Sequence, residues 1–339
     1  MRHCGIPEEL VMLIEDIYSK SESAVRVDGE LTEWFKVKIG VRQGCKMSPD
    51  LFNLLLEMVM RLARREGEAG VNLNGRSLNN LRFADDIDLV ADTQEELQDL
   101  TNRVEGSSKR MGLKINSEKT KTMTVGKQHK KLQITIENRE IEQVTGFVYL
   151  GGLIMEDGRC EEDIKRRIGL ACAAFGGLGK MWRAKDIAIK TKMRLYHALV
   201  EPVLLYGSEC WCLRKEDERR LLVAEMGWLR RIIGRSRREK IRNEKTREEL
   251  GAEETIVEKI RKRRLRWFGH VRRMGGERLP NAALHGHVRG ERSRVGQRKT
   301  WMDNIKEDLR EKGTDLAEIG ETIRNREVWR SSVKASSSD

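Results

Sequence analysis

Leu81-Arg82-Phe83-Ala84-Asp85-Asp86-Ile87-Asp88-Leu89-Val90 sets two short apolar arms around a double aspartate. Arms of this length on either side of a polar turn predict a β-hairpin. The adjacent anions at its tip repel each other and gain nothing from packing, so the arrangement is costly unless a cation is shared. Hard carboxylate oxygens select Mg²⁺ (or Mn²⁺), which keeps several waters and bridges to phosphates. An Asp-Asp turn is also a common surface feature, and the pair alone does not decide between the two.

Upstream, Pro7 with Leu10, Val11, Leu13, Ile14 and Ile17 predicts a short helix, and Asp28-Gly29 between two β-prone arms predicts a first hairpin. Ser48-Pro49 reads as an N-cap and first-turn pair opening a helix from about Asp50 to Arg65, with Leu51, Leu54, Leu55, Met58 and Leu62 as its apolar face. Downstream, Thr93 and Glu96 form a capping-box pattern for a helix to about Arg110, stopped by Gly112. Strands are expected at 120–125, 132–136 and 147–150. Residues 1–155 therefore predict a mixed, largely antiparallel sheet backed by helices, an α+β unit.

From Glu161 helical periodicity dominates, over 161–175, 185–199, 216–233, 255–274, 300–312 and 316–330. A boundary falls near residue 156, followed by a helical, basic region over 156–274. The last part, 275–339, joins a Gly- and Arg-rich loop (275–298), expected to be mobile, to C-terminal helices and a frayed tail at 336–339. The Gly176-Gly177-Leu178-Gly179-Lys180 stretch lacks phosphate-loop spacing and reads as a helix break.

The chain of 339 residues carries 66 Lys plus Arg against 54 Asp plus Glu, a net charge of +12. The distribution is uneven. Residues 1–100 are net −7 and residues 101–300 net +21, which suggests a cation-holding site beside a surface that holds a polyanion. Along 259–273, Arg261, Lys262, Arg263, Arg264, Arg266, Arg272 and Arg273 surround Trp267, Phe268 and His270, the mixture of cations and rings that nucleic-acid contact uses. Six scattered cysteines lack zinc-knuckle spacing and read as reduced thiols, while His285 and His287 read as loop residues. No apolar run reaches the ~18–20 residues of a membrane span, and the start lacks a signal-peptide pattern. The expected location is intracellular, in nucleus or cytoplasm.

Taken together, Val41-Arg42-Gln43-Gly44-Cys45-Lys46-Met47-Ser48-Pro49-Asp50-Leu51-Phe52-Asn53 and Phe83-Ala84-Asp85-Asp86 resemble the reverse transcriptases of non-LTR (LINE-type) retrotransposons. The first segment is similar to the family's motif B and the second to its motif C. Residues 112–120 resemble motif D, and Phe147-Val148-Tyr149-Leu150-Gly151 the primer-grip hairpin. Leu195-Tyr196 through Tyr206-Gly207-Ser208-Glu209-Cys210-Trp211 is similar to the thumb region. The resemblance runs from near residue 3 to at least residue 274.

The resemblance implies an RNA-directed DNA polymerase acting on an RNA template, a DNA primer and deoxynucleoside triphosphates. Asp85 would be the principal metal ligand with Asp86 its partner. Arg42, Gln43, Gly44, Ser48 and Pro49 would support nucleotide and template, Lys119 the leaving pyrophosphate, and Tyr149, Leu150 and Gly151 the primer. In this family a third carboxylate comes from motif A, which precedes a segment resembling Met1–Glu9. The expectation is therefore weak metal binding, slow transfer by this chain alone, and a catalytic hairpin with an exposed edge. Two other readings stand beside it, a non-catalytic RNA/DNA-binding remnant and, more distantly, a metal-dependent nuclease using Asp85 and Asp86.

Overall fold

The computed structural model describes residues 1–64, 70–73, 75–126, 131–286 and 298–335, and the chain divides into two compact units. Unit 1 comprises residues 1–120 and 133–142; unit 2 comprises 121–132 and 143–339.

In unit 1, α1 (Glu8–Ser19) follows Pro7 as expected. Strands β1 (Glu22–Ser23), β2 (Arg26–Val27), β3 (Glu30–Leu31) and β4 (Phe35–Lys36) make two nested ladders, β2–β3 within β1–β4. Asp28 and Gly29 take φ of 48° and 94° at the inner turn, the conformation for which the Asp-Gly pair is suited. Then come α2 (Ser48–Ala63), β5 (Val71–Leu73), β6 (Arg76–Leu78), β7 (Asn80–Phe83), β8 (Asp86–Leu89), α3 (Gln94–Arg110), β9 (Thr135–Ile136) and β10 (Arg139–Glu140). Thr93 caps α3 by accepting the Glu96 amide at 3.2 Å, and Gly112 beyond its end has φ 72°.

Four expectations for this half are corrected. Ser48 is the first helical residue of α2 rather than its cap, and its hydroxyl donates back to the Arg42 carbonyl at 2.6 Å. The buried apolar positions of α2 are Leu56, Val59, Met60 and Ala63, displaced by one residue, about 100° around the axis, from the predicted face, and Leu62 is exposed. The reason is α3, whose Leu100 and Val104 form the core with Met60 and Ala63, joined by Ile87, Leu89 and Ile115. Residues 120–125 form no ladder, only a parallel bridge between Thr122 and Gln143. Finally, the strands pair as separate two-stranded ladders rather than one sheet among the described residues. Strands of two to four residues satisfy their backbone across a turn to a neighbour, and packing on α2 and α3 does the rest. Arg65, at the predicted end of α2, lies outside the described residues.

Unit 2 opens with β11 (Gly146–Tyr149) and β12 (Gly152–Met155), then α4 (Glu161–Gly177) and α5 (Gly179–Arg183), which meet at the predicted glycine break. α6 (Ile189–Leu195) runs through a π-helical turn at Tyr196–Val200 into α7 (Glu201–Leu204). Pro202 has no amide to donate, so the ordinary i→i−4 ladder cannot pass it and the helix loosens there. Next are α8 (Lys215–Ile232), α9 (Asn243–Leu250), α10 (Ile256–Arg272), α11 (Leu279–His285), α12 (Trp301–Arg310), α13 (Gly320–Arg324) and α14 (Arg326–Lys334). Two readings are corrected here. Part of the expected 275–298 loop is α11, with Asn281 donating to the carbonyls of Val271 and Met274; residues 287–297, His287 among them, lie outside the described residues, as does the tail at 336–339. The expected helix 316–330 is divided at Asn325, whose side chain caps α14 through the amides of Glu327 and Val328.

Unit 2 has the larger core. Ile164, Val200, Leu204, Leu213, Leu221, Ile256 and Ile260 are fully enclosed in one cluster, each side chain stabilising the fold by roughly 1.5–3 kcal/mol. Phe175 stacks on Trp182 at 4.7 Å, and the Trp182 indole donates to the Phe175 carbonyl at 2.7 Å. A second cluster joins Leu265 and Phe268 of α10 to Ile305, Leu309, Ile323 and Trp329. Gly269 of α10 faces the Trp329 indole so closely that a Cβ there would lie inside the ring's van der Waals surface. The architecture is α+β, as predicted.

Candidate active site

The hairpin β7–β8 pairs Phe83 with Asp86, leaving Ala84 and Asp85 as the two-residue turn. Ala84 takes φ 51°, a left-handed conformation that side chains rarely adopt and that costs of order 1 kcal/mol or more. Alternation along β8 then sorts the side chains. Ile87 and Leu89 pack onto the α2–α3 core, while Asp86 and Asp88 take the opposite face. Arg82 on β7 pairs with Glu57 of α2 at 2.9 Å, a second tie between hairpin and helix.

Asp85 and Asp86 are exposed, and no hydrogen bond or ion pair engages either carboxylate among the described residues. Asp88 is half-buried; burial first, and the Asp86 charge second, push its carboxyl above the usual range. The donor set at the tip is thus two adjacent, unneutralised hard oxygens, which fits a hydrated Mg²⁺ or Mn²⁺. The described residues contain no group of three or more metal-ligating side chains.

The segment before α2 is held by its arginine. Arg42 donates to Ser21 Oγ at 3.0 and 2.7 Å and to the Ile17 carbonyl at 3.4 Å, so its guanidinium braces the loop against the end of α1. Gln43 and Gly44 are exposed on that loop; Gly44 has φ 81° and open space around it. Pro49 lies in the first turn of α2 beside the buried Ser48. Amide donation from Met47, ahead of smaller effects, draws the Cys45 thiol down. Lys119 is exposed in a turn organised by Asn116 Oδ1, which accepts the amides of Glu118 and Lys119 at 3.1 Å each. The hairpin forms where the sequence places it, but no hydrogen bond or ion pair joins Lys119 or the 42–49 loop to the aspartates among the described residues.

In unit 2, Tyr149, Leu150, Gly151 and Gly152 form the β11–β12 turn, with Leu150 at φ 46° and Gly151 at φ 81°. Side chains to which the sequence reading gave no role here hold this strained turn. Tyr206 donates its hydroxyl to the Leu150 carbonyl at 2.7 Å, and Arg166 and Arg167 both donate to the Gly151 carbonyl. The Arg167 guanidinium also lies over the Tyr206 ring, 4.4 Å from its centre. Asp163 of α4 fastens the hairpin further, accepting the Leu153 amide at 3.0 Å and the Trp211 indole at 2.9 Å. The tyrosine stood in the thumb-like stretch, but only the fold reveals what its hydroxyl reaches.

One member of the basic face predicted on α10 is corrected. Arg264 is fully buried and grips Asp308 with two bonds of 2.7 and 2.9 Å, with a third to the Trp211 carbonyl, so it cannot meet a ligand. Arg261 pairs with Glu218 and Glu311, and Lys262 with Glu254 at 2.7 Å. Arg263 donates to the Leu205 carbonyl, Arg273 to the Ile323 carbonyl, and Arg272 meets His285. Arg266 is exposed, and Trp267 is half-buried against His270. Within the stretch, Arg261 and Arg264 are thus committed to carboxylates of α8 and α12, Glu218 and Asp308.

Residues 1–154 match the reverse transcriptase (RNA-dependent DNA polymerase) family. The chain is similar to a transposon-derived protein of Caenorhabditis elegans, 26% identical over 252 residues that cover 72% of this chain and 90% of that protein. It is 31% identical over 230 residues to a retrovirus-related Pol polyprotein from the type-2 retrotransposable element R2DM of Drosophila melanogaster, covering 64% of this chain and 21% of the polyprotein. A Pol polyprotein from a type-1 retrotransposable element R2 of Nasonia vitripennis is 31% identical over 153 residues, 42% of this chain and 15% of its own length. The chain thus spans about a fifth or less of the two polyproteins. No helix among the described residues is long and apolar enough to cross a membrane.

Proposed function

Residues 1–154 carry a reverse transcriptase sequence of the non-LTR retrotransposon kind, and on that premise we propose that unit 1 holds the catalytic hairpin of an RNA-directed DNA polymerase. The carrying observation is the tip of β7–β8, where Asp85 and Asp86 stand exposed and unneutralised on a hairpin anchored from behind by Ile87 and Leu89. Asp85 is the principal ligand of a divalent cation and Asp86 its partner. Bound there, Mg²⁺ or Mn²⁺ supplies Lewis-acid stabilisation for transfer of a nucleotidyl group from a deoxynucleoside triphosphate. Gln43 and Gly44 lie against nucleotide and template, where a residue without Cβ lets the backbone approach. Arg42 positions that loop through Ser21 rather than touching substrate, with Ser48 and Pro49 setting the start of α2 behind it. Lys119 offers an ammonium to the leaving pyrophosphate. Tyr149, Leu150 and Gly151 hold the primer end against an RNA template.

By motif, residues 1–155 are palm, 156–274 a thumb-like helical region and 275–339 a C-terminal extension. By packing, the primer-grip hairpin belongs with the helices of unit 2. Primer extension on an RNA template with Mg²⁺ tests the reading. Incorporation that disappears in Asp85→Ala is expected, and incorporation unaffected by that change refutes it. The absence of a three-ligand group among the described residues favours a second reading, a non-catalytic nucleic-acid binder. Duplex binding without incorporation supports that one, while cleavage without added nucleotides supports a nuclease.

A further inference from the structure

The cations of α10 are largely neutralised within unit 2, whereas others in the same unit are not. A groove of about 700 Å³ runs between one face of α8 and residues 237–243. Among the described residues, five cationic side chains line it, Lys215, Arg219, Arg230, Arg237 and Lys240, against one carboxylate, that of Glu218. That carboxylate is already paired with Arg261 at 3.2 Å. Arg219 reaches Glu216 only at 3.8 Å with its side chain 77% exposed. Lys215, Arg237 and Lys240 have no acidic partner among the described residues. Arg230 braces the far wall, donating to Asn243 Oδ1 at 2.6 Å and to the Ile241 carbonyl.

The floor between these charges is aliphatic, made of Leu222, Val223, Met226 and Ile241. Val223 is 49% exposed there. Among the described residues no aromatic ring lines the groove, which weighs against a single strand, since splayed bases are held by stacking on rings. A duplex keeps its bases inside and presents phosphates and sugars, which ask for cations and modest apolar contact.

We propose that the groove between α8 and residues 237–243 is a phosphate-backbone track for a nucleic-acid duplex, and that α10 is not. The choice of duplex as polyanion rests on the polymerase reading above; the unpaired cations do not.

The test is equilibrium binding of a fluorescent 20-base-pair RNA–DNA heteroduplex to the full chain over 50–200 mM salt, without divalent metal or nucleotides. K215Q/R237Q/K240Q is expected to make the log–log salt slope shallower by about 2 to 3, near 0.9 per lost phosphate contact, with affinity at 100 mM falling about tenfold or more. All three positions are exposed, so a retained urea midpoint and far-UV spectrum separate contact loss from unfolding. An unchanged slope overturns the proposal, as does a larger loss in R266Q/R272Q on α10. Equal binding of a single-stranded RNA 20-mer, or equal competition by polyglutamate, overturns the duplex assignment. Because the binding assay holds neither divalent metal nor nucleotides, failure of polymerisation and failure of the groove are read separately.

Discussion

Asp308→Leu, made in the full chain, leaves the Arg264 guanidinium in a site from which solvent is fully excluded, with only the Trp211 carbonyl to receive its protons. Removing one partner of a buried ion pair typically costs about 3–5 kcal/mol, mostly the burial of the surviving charge. With a urea slope of about 2 kcal/mol/M, a loss of about 4 kcal/mol moves the unfolding midpoint down by about 2 M. The reciprocal Arg264→Leu is expected to cost a similar amount. The double variant behaves differently, because burial already raises the Asp308 carboxyl above its ordinary value against the pull of Arg264. Dehydration thus rivals the attraction, and Arg264→Leu/Asp308→Leu is expected to regain most of what either single change loses. Six of the seven tryptophans lie in residues 143–339, so their fluorescence reports unit 2. A midpoint within about 0.3 M of the parent in either single variant, or a double variant below both singles, refutes the reasoning.

Four further outcomes follow from the same contacts. Gly269→Ala, which in an open helix would stabilise by about 1 kcal/mol, should instead destabilise by about 1–3 kcal/mol, because its methyl meets the Trp329 indole; thermal unfolding decides the sign. Arg220, Arg214 and Lys165 hold the Glu161 carboxyl at about 2. A depressed carboxylate stabilises above its unfolded value and loses this as pH falls through its folded one, so the contribution should fade between about pH 4.5 and 2, with carboxyl NMR following the titration. Asp86→Asn should lower the raised Asp88 value only in part, since burial is the larger cause; full normalisation would show that the neighbouring charge dominates. Tyr206→Phe should cost about 0.5–1.5 kcal/mol through the lost bond to the Leu150 carbonyl, seen as faster amide exchange at the 149–152 turn.

Local signals were legible where one residue type solves a local backbone problem. Asp28-Gly29, the Asp85-Asp86 tip, the Thr93 cap and the Gly177–Gly179 break all fall where the sequence puts them. The unread features depend on residues far apart in the chain. Nothing near Arg264 announces Asp308, 44 positions away, so a cation that read as part of a surface run is half of a buried ion pair. The buried stripe of α2 is rotated by one residue because it is chosen by Leu100 and Val104 of α3, not by its own periodicity alone. The turn-holding roles of Tyr206, Arg166 and Arg167 converge from two separate segments.

The passage of the chain between its two units has a topological consequence. It leaves unit 1 after residue 120, returns for 133–142 and departs again at 143, so three covalent crossings join the units. A cut at 120/121 leaves 133–142 of the C-terminal fragment in unit 1, a cut at 142/143 leaves 121–132 of the N-terminal fragment in unit 2, and a cut at 132/133 does both, so no single cut parts the fragments along the unit boundary. A single proteolytic nick between 120 and 143 should therefore yield two bands on a denaturing gel and one species on a native column. A split gene divided at 120/121 or 132/133 should reassemble by complementation, with the short ninth and tenth strands, 135–136 and 139–140, acting as the latch.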